Sequence, residues 1–170
     1  MIILGIDPGT ATTGFGVIKK TGDKKNRAVV VDYGCIKTSP DLSTGERLKI
    51  IYRELGKIID QHKPAVLAVE AVYFFKNLKT VMPVSQAKGV ILLTAAKKKV
   101  PVFEFTPLQV KMVVTGYGRA EKKDVQKTIK KILCLEKKPK DKDKRKDDAT
   151  DALGIALCYL LKPRSNIKSA

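Results

Sequence analysis

Two short apolar runs, Ile2–Ile6 and Ala65–Val69, each close on a single acid, Asp7 and Glu70. Continuous apolar runs of this length, bounded by turn signals, read as strands buried on both faces. Between them Ser43 and Glu46 have capping-box spacing, and Leu48, Ile51, Tyr52, Leu55, Ile58 and Ile59 recur at helical intervals up to Pro64. A strand that follows a crossover helix is most easily laid parallel in the same sheet, so both acids fall at one end of it, side by side. Each alone has a simple reading: Asp7 as the cap of the Pro8-Gly9 turn, Glu70 as the first solvated residue after a buried strand. As neighbours they repel and call for a cation.

The rest of the chain fills in an α/β pattern. Phe15–Lys19 and Arg27–Lys37, joined by the turn TGDKKN, extend the first strand into an antiparallel meander of three. From Met82 or Pro83 to Lys99 a helix is apolar or small around much of its circumference. It must bury more than one face, inside the domain or against a second copy, and Ala87 and Gly89 permit close approach; periodicity alone favours the core. Pro101–Phe105 makes a fifth strand, and Thr106-Pro107 starts a helix as N-cap and first position. Lys111–Lys123 interleaves cations with Gly116, Tyr117 and Gly118 ahead of a helix from Glu121, a backbone suited to a phosphate chain. That helix carries Val125, Ile129, Ile132 and Leu133 on its packing face, and the charged stretch 137–147 reads as a solvated loop.

The closing helix reopens the question of the acids. Asp148 and Asp151 are three apart, so they share a face near its N-terminus, where the dipole favours negative charge. Asp147 or Asp148 can serve as the N-cap, but Asp151 lies deeper, in a segment otherwise apolar, half-buried and in want of a cation. Four carboxylates without His or Cys partners suit Mg²⁺ or Mn²⁺. Two such ions about 3.5–4 Å apart can activate a water and stabilise the leaving oxygen of a phosphodiester. With Pro8-Gly9 and the later glycines read as a turn, Asp7 stays uncovered for metal and phosphate.

Charge agrees with that chemistry. In 170 residues, 34 Lys+Arg oppose 17 Asp+Glu, a net +17 that favours a polyanionic partner. Tyr73-Phe74-Phe75-Lys76-Asn77, just past Glu70, gathers three of the ten Phe and Tyr residues. It serves either to stack unpaired bases or to anchor its own loop. Cys35, Cys134 and Cys158 lack disulfide or zinc spacing and read as small buried hydrophobes in a reducing compartment. His62, beside Lys63-Pro64, reads as a helix-end residue without a catalytic role. No basic leader and no membrane-length apolar run is seen, so the expectation is a soluble cytoplasmic protein, one domain over 1–161 with a flexible tail, 162–170.

The segments LGIDPGTATTGFGVI, AVEAVYFFKN, PVSQAKGV, VFEFTPLQVK, GYGRAEKKDVQ and DATDALGIAL occur in the order and spacing of the bacterial crossover junction endonucleases, the RuvC family, which the chain resembles up to about residue 161. The resemblance implies a ribonuclease H-like α/β fold, a five-stranded mixed sheet with helices on both faces. It also implies a homodimer and Mg²⁺-dependent symmetric nicking of four-way (Holliday) DNA junctions in recombination and repair. Asp7, Glu70, Asp148 and Asp151 match the family's acids; some members carry a histidine at the position of Asp148. Tyr73 is similar to the family's base-stacking aromatic, with Phe74, Lys76 and Asn77 beside it. Lys111 and Lys122 resemble lysines near the scissile phosphate, and Arg119 stands between them as a further DNA contact. The helix around Gly89 resembles the dimer-contact helix, and the branch-migration complex (RuvA, RuvB) is the implied partner. A ribonuclease H-like nuclease of ribosomal RNA maturation shares the D-x-G first strand but is usually shorter. A non-enzymatic basic module would keep the acids for folding alone. Junction cleavage separates the former, and metal-dependent turnover the latter.

Overall fold

The computed structural model describes residues 1–22, 27–71, 78–135 and 146–162. In chain order these form β1 (Ile2–Asp7), β2 (Thr12–Lys20), β3 (Ala28–Lys37), α1 (Thr44–His62), β4 (Val66–Glu70), α2 (Leu78–Lys97), β5 (Val102–Phe105), α3 (Pro107–Thr115), α4 (Lys122–Ile132) and α5 (Lys146–Leu161). The strands make one five-stranded sheet in the order β3-β2-β1-β4-β5. β1, β2 and β3 pair antiparallel, while β1–β4 and β4–β5 pair parallel. The expected meander, crossover helix and mixed sheet are all present.

β1 and β4 are apolar up to their closing acids because successive side chains point to opposite faces and both faces are covered. Leu4, Ile6, Leu67 and Val69 bury against Ile51, Leu55 and Ile59 of α1 and Ala87, Ile91 and Ala95 of α2. Ile3 and Ala68 bury on the other side, against Val110 and Val114 of α3, Val125 and Ile129 of α4, and Leu153, Ala156 and Leu157 of α5. Helix ends are set locally. The Ser43 hydroxyl accepts the Glu46 N–H and the Glu46 carboxylate accepts the Ser43 N–H, a capping box whose loss costs about 1 kcal/mol. Thr106 and Gln109 repeat the device before Pro107, and Gly116, at φ 76°, closes α3 in the left-handed region that glycine tolerates.

Several expectations need correction. α2 begins at Leu78, so Pro83 lies inside it; proline favours a helix start, but here it removes one hydrogen bond from a helix held by Val81, Ala87, Ile91 and Ala95 in the core. Ala87 faces that core, whereas Gly89 is exposed. α5 begins at Lys146, placing Asp147 and Asp148 in its first turn rather than at its N-cap. Ile132 is exposed, because the buried stripe of α4 runs Val125, Ile129, Leu133 at four-residue steps. Of the cysteines only Cys158 is buried; Cys35 is half-buried and Cys134 exposed, at φ 53° in the turn after α4. β2 begins at Thr12, so Gly14 lies in the strand and not in a turn. His62 Nε2 sits 3.0 Å from Asp32 Oδ2, tying the end of α1 to β3. The loop 137–145 and the tail from 163 lie outside the described residues. Among the described residues no helix is long and apolar enough to cross a membrane.

Candidate active site

The parallel pairing of β1 and β4 sets Ile6 opposite Val69, so the next residues, Asp7 and Glu70, end neighbouring strands together. The other two acids arrive from above, on α5, and three glycines let them come close. Gly5 pairs with Gly16, and Gly14 with Asp7 itself. A Cβ at Gly5 would collide with the Ala152 carbonyl, one at Gly14 with the Asp148 carbonyl, and one at Gly16 would lie 2.8 Å from Leu153. α5 therefore rests on bare backbone across β1 and β2, with Asp148 over the partner of Asp7. Asp7, Asp148 and Asp151 each bring a carboxylate oxygen to within 4.8 Å of the others. Glu70 joins Asp7 and Asp151 in lining a cavity of about 330 Å³. Lys111 and Lys122 line the same cavity, together with Val110, Val125, Ile129 and Ile155.

The electrostatics are those of a site short of positive charge. Burial pushes the Asp7 carboxyl up to about 8, helped by Glu70, Asp151 and Asp148 and opposed by Lys122. Glu70 is raised by burial and then by Asp151. Burial also raises Asp148, with Lys122 opposing. Lys122 Nζ stands 2.7 Å from Asp151 Oδ2, and that bond raises the lysine. Buried carboxylates this close stay ionised together only with a cation among them. An all-oxygen donor set drawn from three or four carboxylates fits a hard divalent ion and excludes a thiolate or imidazole type of site.

One participant escaped the sequence reading. Gln126, buried on α4, donates from Nε2 to Asp151 Oδ1 at 3.1 Å. It sits one turn after Lys122 on the same helix face, so each oxygen of Asp151 has its own partner from α4. That i, i+4 pair was the available signal, hidden behind the apolar stripe next to it. Arg119 is exposed and is not among the described residues lining the cavity. Tyr73, Phe74, Lys76 and Asn77 lie outside the described residues.

Carboxylates gathered where two parallel strands end, under a helix laid across a mixed five-stranded sheet, make this a ribonuclease H-like fold with an acidic site at the strand ends. The family model described as "Crossover junction endodeoxyribonuclease RuvC" matches residues 3–159. The chain belongs to that family. The similarly named protein of Fusobacterium nucleatum is 48% identical over 160 residues, 94% of this chain and 80% of that one. That of Alkaliphilus metalliredigens is 49% identical over 159 residues, covering 94% and 92%. A solved structure, Thermus thermophilus RuvC in complex with Holliday junction substrate, superposes with a TM-score of 0.88 at 30% identity, covering 100% of this chain and 99% of that one.

Proposed function

We propose that this chain resolves four-way DNA junctions by paired, metal-dependent nicks, with Asp7, Glu70, Asp148 and Asp151 holding Mg²⁺ or Mn²⁺, two ions to a site. The observation that carries the reading is the carboxylate group Asp7–Asp148–Asp151, with Glu70 lining the same cavity, in a chain of this family. A metal bound there supplies Lewis-acid polarisation of the phosphoryl oxygen and a water of lowered pKa. The protein's own part is positional. Asp7 and Glu70 are fixed by strand register, Asp148 and Asp151 by the seat of α5 on glycine, and Gln126 holds one oxygen of Asp151. Lys122, mostly exposed at its tip, can exchange Asp151 for a phosphate oxygen, and Lys111 on the cavity wall adds a second cation for the strand.

Paired nicking needs two sites, and α2 offers a surface for a second copy. Met82, Gln86, Gly89, Leu93 and Ala96 are all exposed and follow one another at steps of 4, 3, 4 and 3 residues. That is the spacing of a helix–helix seam. The reading takes 1–161 as the nuclease domain, assigns Tyr73, Phe74, Lys76, Asn77 and Arg119 to junction contacts, and places the protein in the cytoplasm with the branch-migration complex as its supplier of junctions.

The test is incubation of a labelled four-way junction with and without Mg²⁺, with nicks mapped on all strands. Symmetric nicks in two like strands are the outcome for the wild type. For Asp7→Asn the outcome is retained binding with cleavage lost. An active Asp7→Asn protein would sink the metal-site proposal, and cleavage of an RNA precursor in place of the junction would move the substrate.

A further inference from the structure

Large apolar side chains stand in solvent beside the acid cavity. Leu108, Met112 and Tyr117 are 60%, 49% and 59% exposed. The backbone following Tyr117 lies on the other two, because a Cβ on Gly118 would collide with Leu108 and come within 3.2 Å of Met112. The turn that carries Tyr117 is pinned. Its N–H donates to Thr115 Oγ1 at 3.2 Å and its carbonyl accepts the Ala120 N–H at 3.2 Å; the Thr115 hydroxyl reaches the Lys111 carbonyl at 2.8 Å. A pinned turn that holds an aromatic ring in water is prepared for a partner, since exposed apolar area of this kind is unfavourable until covered.

The partner's chemistry follows from what adjoins the patch. Pro107 and Lys111, which precede Leu108 and Met112 in the chain, line the acid cavity, so the platform occupies the adjoining face of α3. Lys111 and Lys122 on the cavity wall and the exposed Arg119, two residues past Tyr117, put positive charge near it, which draws a polyanion and repels another copy of a +17 chain. We infer that the Leu108–Met112–Tyr117 platform receives an unstacked base of the DNA strand whose backbone enters the acid cavity, with Tyr117 as the stacking face. The inference rests on the nuclease reading of that cavity. Stacking on an aromatic face depends on the size and polarisability of the base more than on its hydrogen-bonding edge. Tyr117 therefore adds a modest preference for the base that stands beside the cut.

The experiment uses the Asp7→Asn protein and a four-way junction carrying 2-aminopurine at successive positions around the mapped cut. Stacking on Tyr117 requires a fluorescence change at one position that persists in Tyr117→Phe and Tyr117→Trp and disappears in Tyr117→Ala and Tyr117→Leu. Junction affinity should fall roughly tenfold in the latter pair. In the protein with Asp7 intact, Tyr117→Leu should redistribute nicks among junctions of different sequence. Retention of the signal in Tyr117→Leu would reduce the contact to apolar packing and overturn the stacking role, as would a signal that no Tyr117 variant alters. A changed sedimentation coefficient without DNA in Tyr117→Ala, with fluorescence unchanged, would assign the patch to a second copy and overturn the proposal. Failure of the nuclease reading shows separately, as no metal-dependent cleavage of the junction by the protein with Asp7 intact, and leaves the fluorescence result readable.

Discussion

At the scale of single residues the site trades stability for affinity. Asp7 ordinarily titrates near 3.8 and is raised in the fold to about 8, so between those values the metal-free folded state holds a proton that the unfolded chain has lost. Stability without metal is therefore greatest at low pH in that window and falls as pH rises toward 8. The thermal midpoint in EDTA should drop on the order of 5 °C or more from pH 5 to pH 8, and saturating Mg²⁺ should restore it. Asp7→Asn, neutral at every pH, should flatten the metal-free curve and melt above the wild type at pH 8. A wild-type midpoint independent of pH in EDTA would contradict this. Gln126 acts on the same site from behind. Gln126→Leu keeps the volume but removes the donor to Asp151 Oδ1, and partners of that kind usually account for 10–100-fold in metal affinity. Titration calorimetry with Mg²⁺ or Mn²⁺ should show a loss of about that size, and unchanged affinity would remove Gln126 from the site.

At the scale of elements the site depends on how closely α5 approaches the sheet. Gly14→Ala drives a methyl group into the Asp148 carbonyl, so the first turn of α5 must lift. The expected cost is about 1–3 kcal/mol in denaturant unfolding, with a loss of metal affinity alongside it. Gly56→Ala, in the middle of α1 with nothing within 4 Å of the new methyl, should instead stabilise by about 0.5–1 kcal/mol. Equal effects at the two positions would deny Gly14 its special role. The same contrast marks what a sequence discloses. Strands ending in acids, the capping box at Ser43, the N-cap at Thr106 and the start of α4 follow local rules, and all were legible. The roles of Gly5, Gly14 and Gly16 were not, because their purpose lies in the closing helix at the far end of the chain, and nothing local marks a strand glycine as the seat of a helix. Pro83 misled for the converse reason: the local preference for a helix start was overridden by the packing of α2 against α1. Asp148 could be named as a site acid, but its place in the first turn rather than at the cap depended on where α5 begins.

At the scale of the whole molecule, charge and symmetry oppose each other. Two chains of net charge +17 repel, so a dimer must be held by a compact apolar contact and helped by whatever neutralises the basic surface. The exposed stripe of α2 proposed as the seam offers such a contact, with Leu93 as its bulky aliphatic side chain, on the side of the helix away from the buried Ile91 and Ala95. In a two-fold arrangement each side chain on the seam meets the same surface of its partner, so one substitution is felt twice. Leu93→Asp should therefore yield monomers by sedimentation while changing unfolding free energy by no more than about 0.5 kcal/mol, since the residue is exposed within one chain. Added salt without DNA should strengthen wild-type association by screening the repulsion, and junction DNA should strengthen it further. Because two cavities at fixed separation are needed to cut opposed strands together, the Leu93→Asp protein should still bind junctions but leave single, unpaired nicks. Paired nicking by a protein that sediments as a monomer would refute the two-fold account of resolution and leave the chemistry of the acid cavity untouched.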